Sequence, residues 1–287
     1  MKQLLIISGK GGTGKTTVLG SFAVLAQNKL LADADVDAPN LHLLLQPKIV
    51  SEEDYVGVKM AIKNEELCTE CGLCEQHCRF GAITDLRIDP RRCEGCGVCA
   101  LVCPVEAITM RDEVTGKIYL SETRHGPLVH ARLLAGAEAS GKLVTQVRER
   151  AKEVAARGGT DLILIDGSPG IGCPVIASLA GVDAALAVTE PTPSGLHDLQ
   201  RVLQVAAYFG VTCAISVNKW DINPGLTIEI ERVAQAMGAA PLGRIPFDEA
   251  VANSTAEGLP LVEFVANGPA RKAVVELWET IASSPPQ

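Results

Sequence analysis

The sequence predicts an α/β fold, in which a doubly wound, mostly parallel sheet is interrupted by a small α+β domain. The composition is 47% hydrophobic but only 3% aromatic, as expected for an aliphatic sheet covered by helices. Short apolar runs alternate with segments of helical period. Two cysteine-rich runs lie within residues 57–117, and removing that segment leaves the alternation intact. We therefore expect one discontinuous domain over 1–56 and 118–287, with 57–117 as an insertion.

Charge and hydropathy exclude several classes of protein. The net charge is −8 and no stretch is rich in Lys or Arg, so nucleic-acid binding is disfavoured. The apolar run that follows Met1 is too short to be the hydrophobic core of a signal peptide. No apolar run approaches the roughly 18 residues of a membrane span. We expect a cytoplasmic protein. Because thiols stay reduced there, the ten cysteines favour metal ligation over disulfides.

The chain opens with the pattern of a phosphate-binding loop. An apolar strand precedes GKGGTGKTT, and a segment with helical spacing follows it, which is the context that G-x4-G-K-[ST] requires. The glycines let backbone N–H groups face phosphates, Lys15 neutralises them, and Thr16 offers its hydroxyl to Mg²⁺. The alternative is a glycine-rich turn unrelated to nucleotides. The residues expected at the nucleotide are Gly9, Gly11, Gly12, Thr13, Gly14, Lys15, Thr16 and Thr17.

Later apolar strands also end in polar residues. The run KLLA leads into DADVD, DLILI leads into Asp166 and a glycine-bearing turn, and CAISV leads into Asn218 and Lys219. Acids clustered beside a phosphate loop favour a functional role. Ordinary polar turns at strand ends are the alternative for each of them.

These segments together resemble the MinD, ParA and nitrogenase iron protein family, which has a deviant Walker A loop. The resemblance implies an ATPase whose Lys10 reaches the partner's nucleotide in an ATP-sandwich homodimer, or in a heterodimer with a close relative. It also implies that Asp35 orients the attacking water, next to the catalytic Lys15. For Mg²⁺ it implies Thr16, Asp33 and Asp166, and for the adenine site Asn218, Lys219 and Pro246.

Both cysteine runs read C-x2-C-x2-C-x3-C, and the second ends in Cys-Pro, as in bacterial ferredoxins that hold two [4Fe–4S] clusters. The first run repeats in the second 25 residues later, which supports this interpretation. Zinc is the alternative, but zinc sites do not use the x3-C arm. In that arrangement the fourth cysteine crosses over, so the ligands are Cys68, Cys71, Cys74 and Cys103 for one cluster, and Cys93, Cys96, Cys99 and Cys78 for the other.

Three further features complete the prediction. Cys173 follows Asp166 at a distance similar to that of a cluster ligand in the nitrogenase iron protein. The resemblance therefore implies a third metal centre at the dimer interface, although Cys173 could equally be a small buried residue. Cys213 lies in an apolar strand and is expected in the core, and the balanced charges of the last helix favour packing on the sheet. Ser140 is the expected N-cap of the helix that follows it.

The leading hypothesis is a homodimeric ATPase that couples its nucleotide cycle to assembly or delivery of a metal or iron–sulfur cofactor to a client metalloprotein. The alternative is an ATP-gated electron donor to a redox partner. A positioning factor whose clusters are structural or sense redox state is a third candidate. Two cubane clusters also predict oxygen sensitivity and an anaerobic host.

Overall fold

The computed structural model describes residues 1–135, 137 and 141–283. They form two compact units. The larger comprises Met1–Glu53, Ile118–Leu133 and Glu138–Gln287, and the smaller comprises Asp54–Lys117 and Leu134–Ala137.

The strands are β1 (Lys2–Ser8), β2 (Lys29–Asp33), β3 (Lys48–Lys63), β4 (Ile83–Thr84), β5 (Arg87–Ile88), β6 (Ile108–Thr123), β7 (Gly126–Leu133), β8 (Leu162–Pro169), β9 (Ala184–Thr189), β10 (Thr212–Asn218) and β11 (Ala240–Ile245). The helices are α1 (Lys15–Leu25), α2 (Leu41–Leu45), α3 (Leu73–Gln76), α4 (Val98–Leu101), α5 (Gly141–Gly158), α6 (Cys173–Leu179), α7 (Pro193–Tyr208), α8 (Pro224–Ala236), α9 (Glu249–Ala256), α10 (Leu261–Phe264) and α11 (Pro269–Ser283). A 3₁₀ turn covers Trp220–Ile222.

Within the described residues, nine strands form one sheet in the order β11-β10-β9-β1-β8-β2-β7-β6-β3. From β11 to β7, neighbouring strands pair in parallel. The central strands are buried along nearly their whole length, so they consist of continuous apolar runs rather than alternating ones. The predicted mostly parallel α/β fold is confirmed. Its carboxyl edge collects the residues that follow β1, β2, β8 and β10.

Helices pack on the sheet of the larger unit and bury an aliphatic core against it. Leu19 and Phe22 of α1 are fully buried, and the ring of Phe22 packs 5.0 Å from that of Trp278 in α11. Leu277 and Ile281 of α11 belong to the same core, so the prediction that the last helix packs on the sheet is confirmed. Each such side chain stabilises the fold by about 1.5–3 kcal/mol. Cys213 is buried in β10, as predicted.

The smaller unit contains the cysteine runs, the short helices α3 and α4, and the antiparallel pair β4 and β5. One of its buried clusters consists of Ala61, Cys74, Ile83 and Ile108, with further cysteines packed against it, and the other buried hydrophobic side chains in 54–117 are Tyr55, Ala82 and Ala107. Below about 70–80 residues, a hydrophobic core rarely supplies more than 3–5 kcal/mol. A unit with so few core residues therefore needs an additional source of stability.

The predicted edges of the insertion fall inside strands. The 56/57 edge lies within β3 and the 117/118 edge within β6; neither strand contains a proline, and the glycines near these edges, Gly57 and Gly116, do not end the strands. The predicted N-cap Ser140 lies outside the described residues, and α5 begins at Gly141. No helix in the described part of the chain is long and apolar enough to cross a membrane.

Candidate nucleotide site and cysteine cavities

The loop between β1 and α1 has a backbone that only glycine adopts easily. Gly12 and Gly14 have φ of 80° and 94°, which is the left-handed region. A Cβ on Gly14 would lie 2.3 Å from Nδ2 of Asn218, so a larger residue would have to displace that side chain as well as strain the backbone. Asn218 Nδ2 donates a hydrogen bond of 2.8 Å to the carbonyl of Thr13. The end of β10 therefore supports the loop directly.

Lys15 lies at the centre of a buried charge cluster. Its Nζ is 2.6 Å from Oδ1 of Asp166 and 3.4 Å from Oδ2 of Asp35. Thr16 donates its hydroxyl to the other oxygen of Asp166 at 2.8 Å. Asp33 accepts the backbone N–H of Asp35 at 3.1 Å, which shapes the turn after β2. The ends of β1, β2 and β8 thus converge on one point, as the carboxyl edge of a parallel sheet allows.

Burial at this site shifts the pKa values of Asp33, Asp35 and Lys15. Burial, reinforced by the neighbouring Asp166, raises the pKa of Asp33 well above its ordinary value. Burial also raises the pKa of Asp35, although Lys15 opposes that shift. For Lys15, burial works against the charge, but Asp166 and Asp35 outweigh it and raise the pKa. With all its carboxyl groups ionised, the cluster would have more negative charge than Lys15 can balance, and the raised pKa values of Asp33 and Asp35 reflect this.

The same cluster fits a divalent cation. Oδ1 of Asp35 is buried and has no hydrogen-bond partner within the described residues. Carboxylate and hydroxyl oxygens are the ligands that Mg²⁺ prefers, usually together with water and phosphate oxygens. The excess negative charge and the unpartnered oxygen both suit Mg²⁺ delivered with a nucleotide.

Two adjoining cavities open from the loop and share Gly12, Gly14, Thr17 and Thr255 in their walls. The first is lined by the loop together with Asp35 and Pro169, as a polyphosphate requires. The second is lined by the predicted base-site residues Asn218, Lys219 and Pro246. Phe247 and Asp248, next to Pro246 in the sequence RIPFD that follows a strand, also line it, and so does Val251, which the sequence did not indicate.

Lys10 has a partner that sequence inspection missed. Its Nζ is 2.8 Å from Oε1 of Glu190, 3.2 Å from Oγ1 of Thr192 and 3.1 Å from Oγ of Ser194. Glu190 also binds Nζ of Lys219 at 3.2 Å, and these two hydrogen bonds, although burial works against them, lower the pKa of Glu190. In this single chain Lys10 is therefore held within its own subunit. The available signal for Glu190 was its place in the sequence, directly after β9 and before Pro191.

The eight cysteines of the two runs line two separate cavities in the smaller unit. One is lined by Cys68, Cys71, Cys74 and Cys103, and the other by Cys78, Cys93, Cys96 and Cys99. In each cavity the fourth thiol comes from the other run. Among the described residues, no three His, Cys, Asp or Glu side chains converge as ligands of a single metal ion.

The backbone around the two runs has the same conformation. Gly72 and Gly97 both have φ of 76°, and each precedes a one-turn helix, α3 or α4. Backbone N–H groups point at thiols: Glu70 N–H donates to Sγ of Cys68 at 3.4 Å, and Ala107 N–H to Sγ of Cys103 at 3.2 Å. Such hydrogen bonds stabilise the thiolate form that metal ligation requires.

The remaining two cysteines differ in environment. Cys173 is exposed at the first position of α6, just after the turn that follows β8. Cys213 is buried, and that burial raises its pKa to about 12. An inert core thiol is the expected role of Cys213, whereas Cys173 is accessible.

A model of the CobQ/CobB/MinD/ParA nucleotide-binding domain matches residues 4–261. The chain belongs to this nucleotide-binding P-loop ATPase family. The family part of the predicted resemblance is therefore confirmed.

Similar proteins include an uncharacterized protein of Methanocaldococcus jannaschii, 34% identical over 77% of this chain and 79% of its own. An iron-sulfur cluster carrier protein of Pyrococcus horikoshii is 25% identical over 98% of this chain and 85% of its own. Among solved structures, the septum site-determining protein MinD of Pyrococcus horikoshii with Mg-ADP has a TM-score of 0.61 at 20% identity, and covers 98% of this chain and 95% of its own. At that identity the structural match shows the fold alone.

Proposed function

We propose that this member of the family is a dimeric ATPase with two [4Fe–4S] clusters, which couples its nucleotide cycle to assembly or delivery of a metal or iron–sulfur cofactor to a client protein. The observation that carries the proposal is the pair of four-cysteine cavities on a chain that also has a phosphate-binding loop. The domain bounds suggested by the sequence, 57–117 for the cluster-bearing part, form part of the proposal.

The cysteine cavities fit two clusters by their donor sets. Each cavity has four thiols, three from one run and one from the other, and apolar residues make up much of the remaining wall. Four thiolates satisfy the irons of a [4Fe–4S] cluster, which when bound supplies one-electron transfer. The positive-φ positions and the N–H groups directed at sulfur support the same assignment.

The nucleotide residues have separate roles in the proposed hydrolysis. Lys15 leaves the carboxylates to neutralise phosphate oxygens, and Thr16, Asp166 and Asp33 then support Mg²⁺. Asp35 orients the attacking water. Lys10 leaves Glu190 to reach the partner's nucleotide across a dimer, where negative charge develops in the transition state.

Two observations favour cofactor delivery over simple hydrolysis. The similar protein named an iron-sulfur cluster carrier aligns over nearly the whole chain. Cys173 is exposed beside the turn that follows the Mg²⁺-supporting Asp166, where a thiol from each subunit could share a third metal centre. That centre is an added hypothesis, and the two-cluster proposal does not depend on it.

Anaerobic iron and sulfide analysis, with EPR of the reduced protein, tests the clusters. We expect eight irons per chain, from four in each of two cubanes. Cys71→Ala and Cys96→Ala should each remove one cluster signal, whereas Cys213→Ala, a control outside both cavities, should remove none. A single metal ion for each set of four cysteines, as in a zinc site, would overturn the assignment. Equal loss of the cluster signals in all three variants would also overturn it.

Incubation with ATP and an apoprotein that requires a [4Fe–4S] cluster separates delivery from electron donation. Delivery predicts that iron and sulfide leave this chain and appear in the acceptor, and that Asp35→Asn reduces this transfer. An electron donor would become oxidised and keep all its iron. That second result would replace cofactor delivery with the donor function.

A further inference from the structure

The two cysteine cavities are built from repeat-related positions. Each residue that lines the Cys68 cavity has a counterpart 25 positions away that lines the other cavity. The counterpart lies 25 residues later for residues before 75, and 25 residues earlier for residues after it. The twelve pairs are Lys63/Ile88, Cys68/Cys93, Thr69/Glu94, Cys71/Cys96, Gly72/Gly97, Leu73/Val98, Cys74/Cys99, Leu86/Ala61, Cys103/Cys78, Val105/Phe80, Ala107/Ala82 and Ile108/Ile83. The cavities can therefore be compared position by position.

Most pairs exchange one apolar residue for another or keep the same residue, and two pairs change the charge. Lys63 lines the first cavity where Ile88 lines the second, and Thr69 lines the first where Glu94 lines the second. The first cavity thus gains a cation and the second an anion. Nothing in the ligand sets, which are four cysteines each, predicts this difference.

Lys63 is placed to keep its charge next to the first set of thiols. Its side chain is only 10% exposed, and its Nζ is 2.8 Å from Oε2 of Glu65. The hydrogen bond that Lys63 donates to Glu65 raises the pKa of Lys63. Lys63 therefore lines the cavity as a charged, largely buried side chain.

We propose that Lys63 makes the cluster held by Cys68, Cys71, Cys74 and Cys103 the more easily reduced of the two. The inference rests on the proposed clusters. Each cluster gains one electron from an external one-electron donor, such as dithionite in the cuvette, and no bond to a thiolate forms or breaks. Reduction adds one negative charge to the cluster, so a nearby cation stabilises the reduced state and a nearby anion destabilises it.

Other charges near the first cavity do not reverse this order. Glu65, Glu66 and Glu70 are exposed, and they do not line the cavity. Water and salt screen exposed charges much more than a charge held at a buried wall. Glu94 lines the other cavity but is exposed too, so its charge is screened in the same way and the expected difference rests on Lys63.

Potentiometric EPR titration of the anaerobic holoprotein tests the proposal without measuring activity. Lys63→Gln should lower the higher of the two potentials and leave the lower one in place. We expect about a tenfold change in the electron distribution between the clusters, which is about 59 mV for a one-electron couple. Lys63→Arg should retain the original potential. Lys59→Gln, an exposed lysine of the same unit, changes net charge equally and should shift neither couple.

A second substitution, Ile88→Lys in the other cavity, still tests the proposal if the Lys63→Gln variant loses iron. Ile88→Lys places an ammonium at the equivalent wall of the second cavity and should raise the lower potential. Equal shifts of both couples, or no shift in either variant with iron content intact, would overturn the role of Lys63 but not the clusters. If no cubane forms in the wild-type protein, both the proposed function and this inference fail.

Discussion

The two units of the protein are stabilised in different ways. The larger unit encloses an extended aliphatic core between its sheet and helices, and apart from Arg148 its buried charges lie at the nucleotide site. In residues 54–117 of the smaller unit seven hydrophobic side chains are buried, three of them alanines and one a cysteine, and further thiols pack against them. The first is stable through burial of its own side chains. The second, by the same physical argument, depends on what its cysteines bind.

Removal of iron should have the largest effect on the difference between the two units. Under anaerobic chelation we expect residues 54–117 to lose hydrogen-exchange protection, because ligand binding then no longer contributes to the free energy of unfolding of the smaller unit. Strands β1 and β8 should keep their protection. Hydrogen-exchange mass spectrometry measures both. Retained protection in 54–117 after iron removal would show that this unit is stable without metal.

Lys15→Ala tests the buried charges of the larger unit. The substitution leaves Asp166 and Asp35 without their cation, so we expect the nucleotide-free unit to lose about 3 kcal/mol, the low end for a broken buried pair. Carboxyl groups whose pKa is raised in the fold destabilise it increasingly as the pH rises above their unfolded pKa. The loss should therefore grow as the pH rises above the ordinary carboxyl pKa of 3.8, as chemical denaturation at a series of pH values measures.

The same variant should no longer be stabilised by Mg-ATP, and its turnover should fall by about 10²–10³-fold. Lys272→Ala is the control, because that lysine is 79% exposed and its ion pair with Glu276 lies at the surface. Unchanged stabilisation by nucleotide in Lys15→Ala would contradict the assigned phosphate site.

A pair of glycine substitutions compares positions within the second cysteine run. Both Gly95 and Gly97 have positive φ, but a Cβ on Gly95 would lie 2.1 Å from the carbonyl oxygen of Lys59, whereas a Cβ on Gly97 meets no atom within 4 Å. Gly97→Ala should cost about 1–2 kcal/mol from backbone strain alone. Gly95→Ala should cost more and reduce bound iron. Thermal unfolding and iron content would show it, and equal effects would contradict the close packing around Gly95.

The smallest effect concerns the two thiols outside the cavities. Cys213 is buried and its pKa is raised to about 12, so it should resist alkylation at pH 8 in the folded protein. Cys173 is exposed and should react first. Peptide mass spectrometry after brief iodoacetamide treatment of the iron-loaded protein gives the order. Protection of Cys173 that appears only with an ATP analogue would support its proposed place at a dimer interface.

Much of the fold followed from local patterns, and the reasons are physical. The phosphate loop, the buried strands and the last helix each have a pattern of residue type and spacing that local geometry imposes. Two contacts had no pattern of this kind that names both partners. Glu190 reaches Lys10 because β9 lies beside β1, and Lys63 reaches the first cysteine cavity from the end of β3. Both contacts depend on strand placement, which sequence spacing does not determine.

The central claim is that the nucleotide state of the larger unit affects the redox centres of the smaller one. Potentiometric EPR of the anaerobic protein, in the nucleotide-free, Mg-ADP and Mg-ATP-analogue states, tests it most directly. We expect at least one cluster potential to change with the nucleotide, together with a change in subunit association measured on the same samples. Identical potentials and identical association in all three states would contradict the claim.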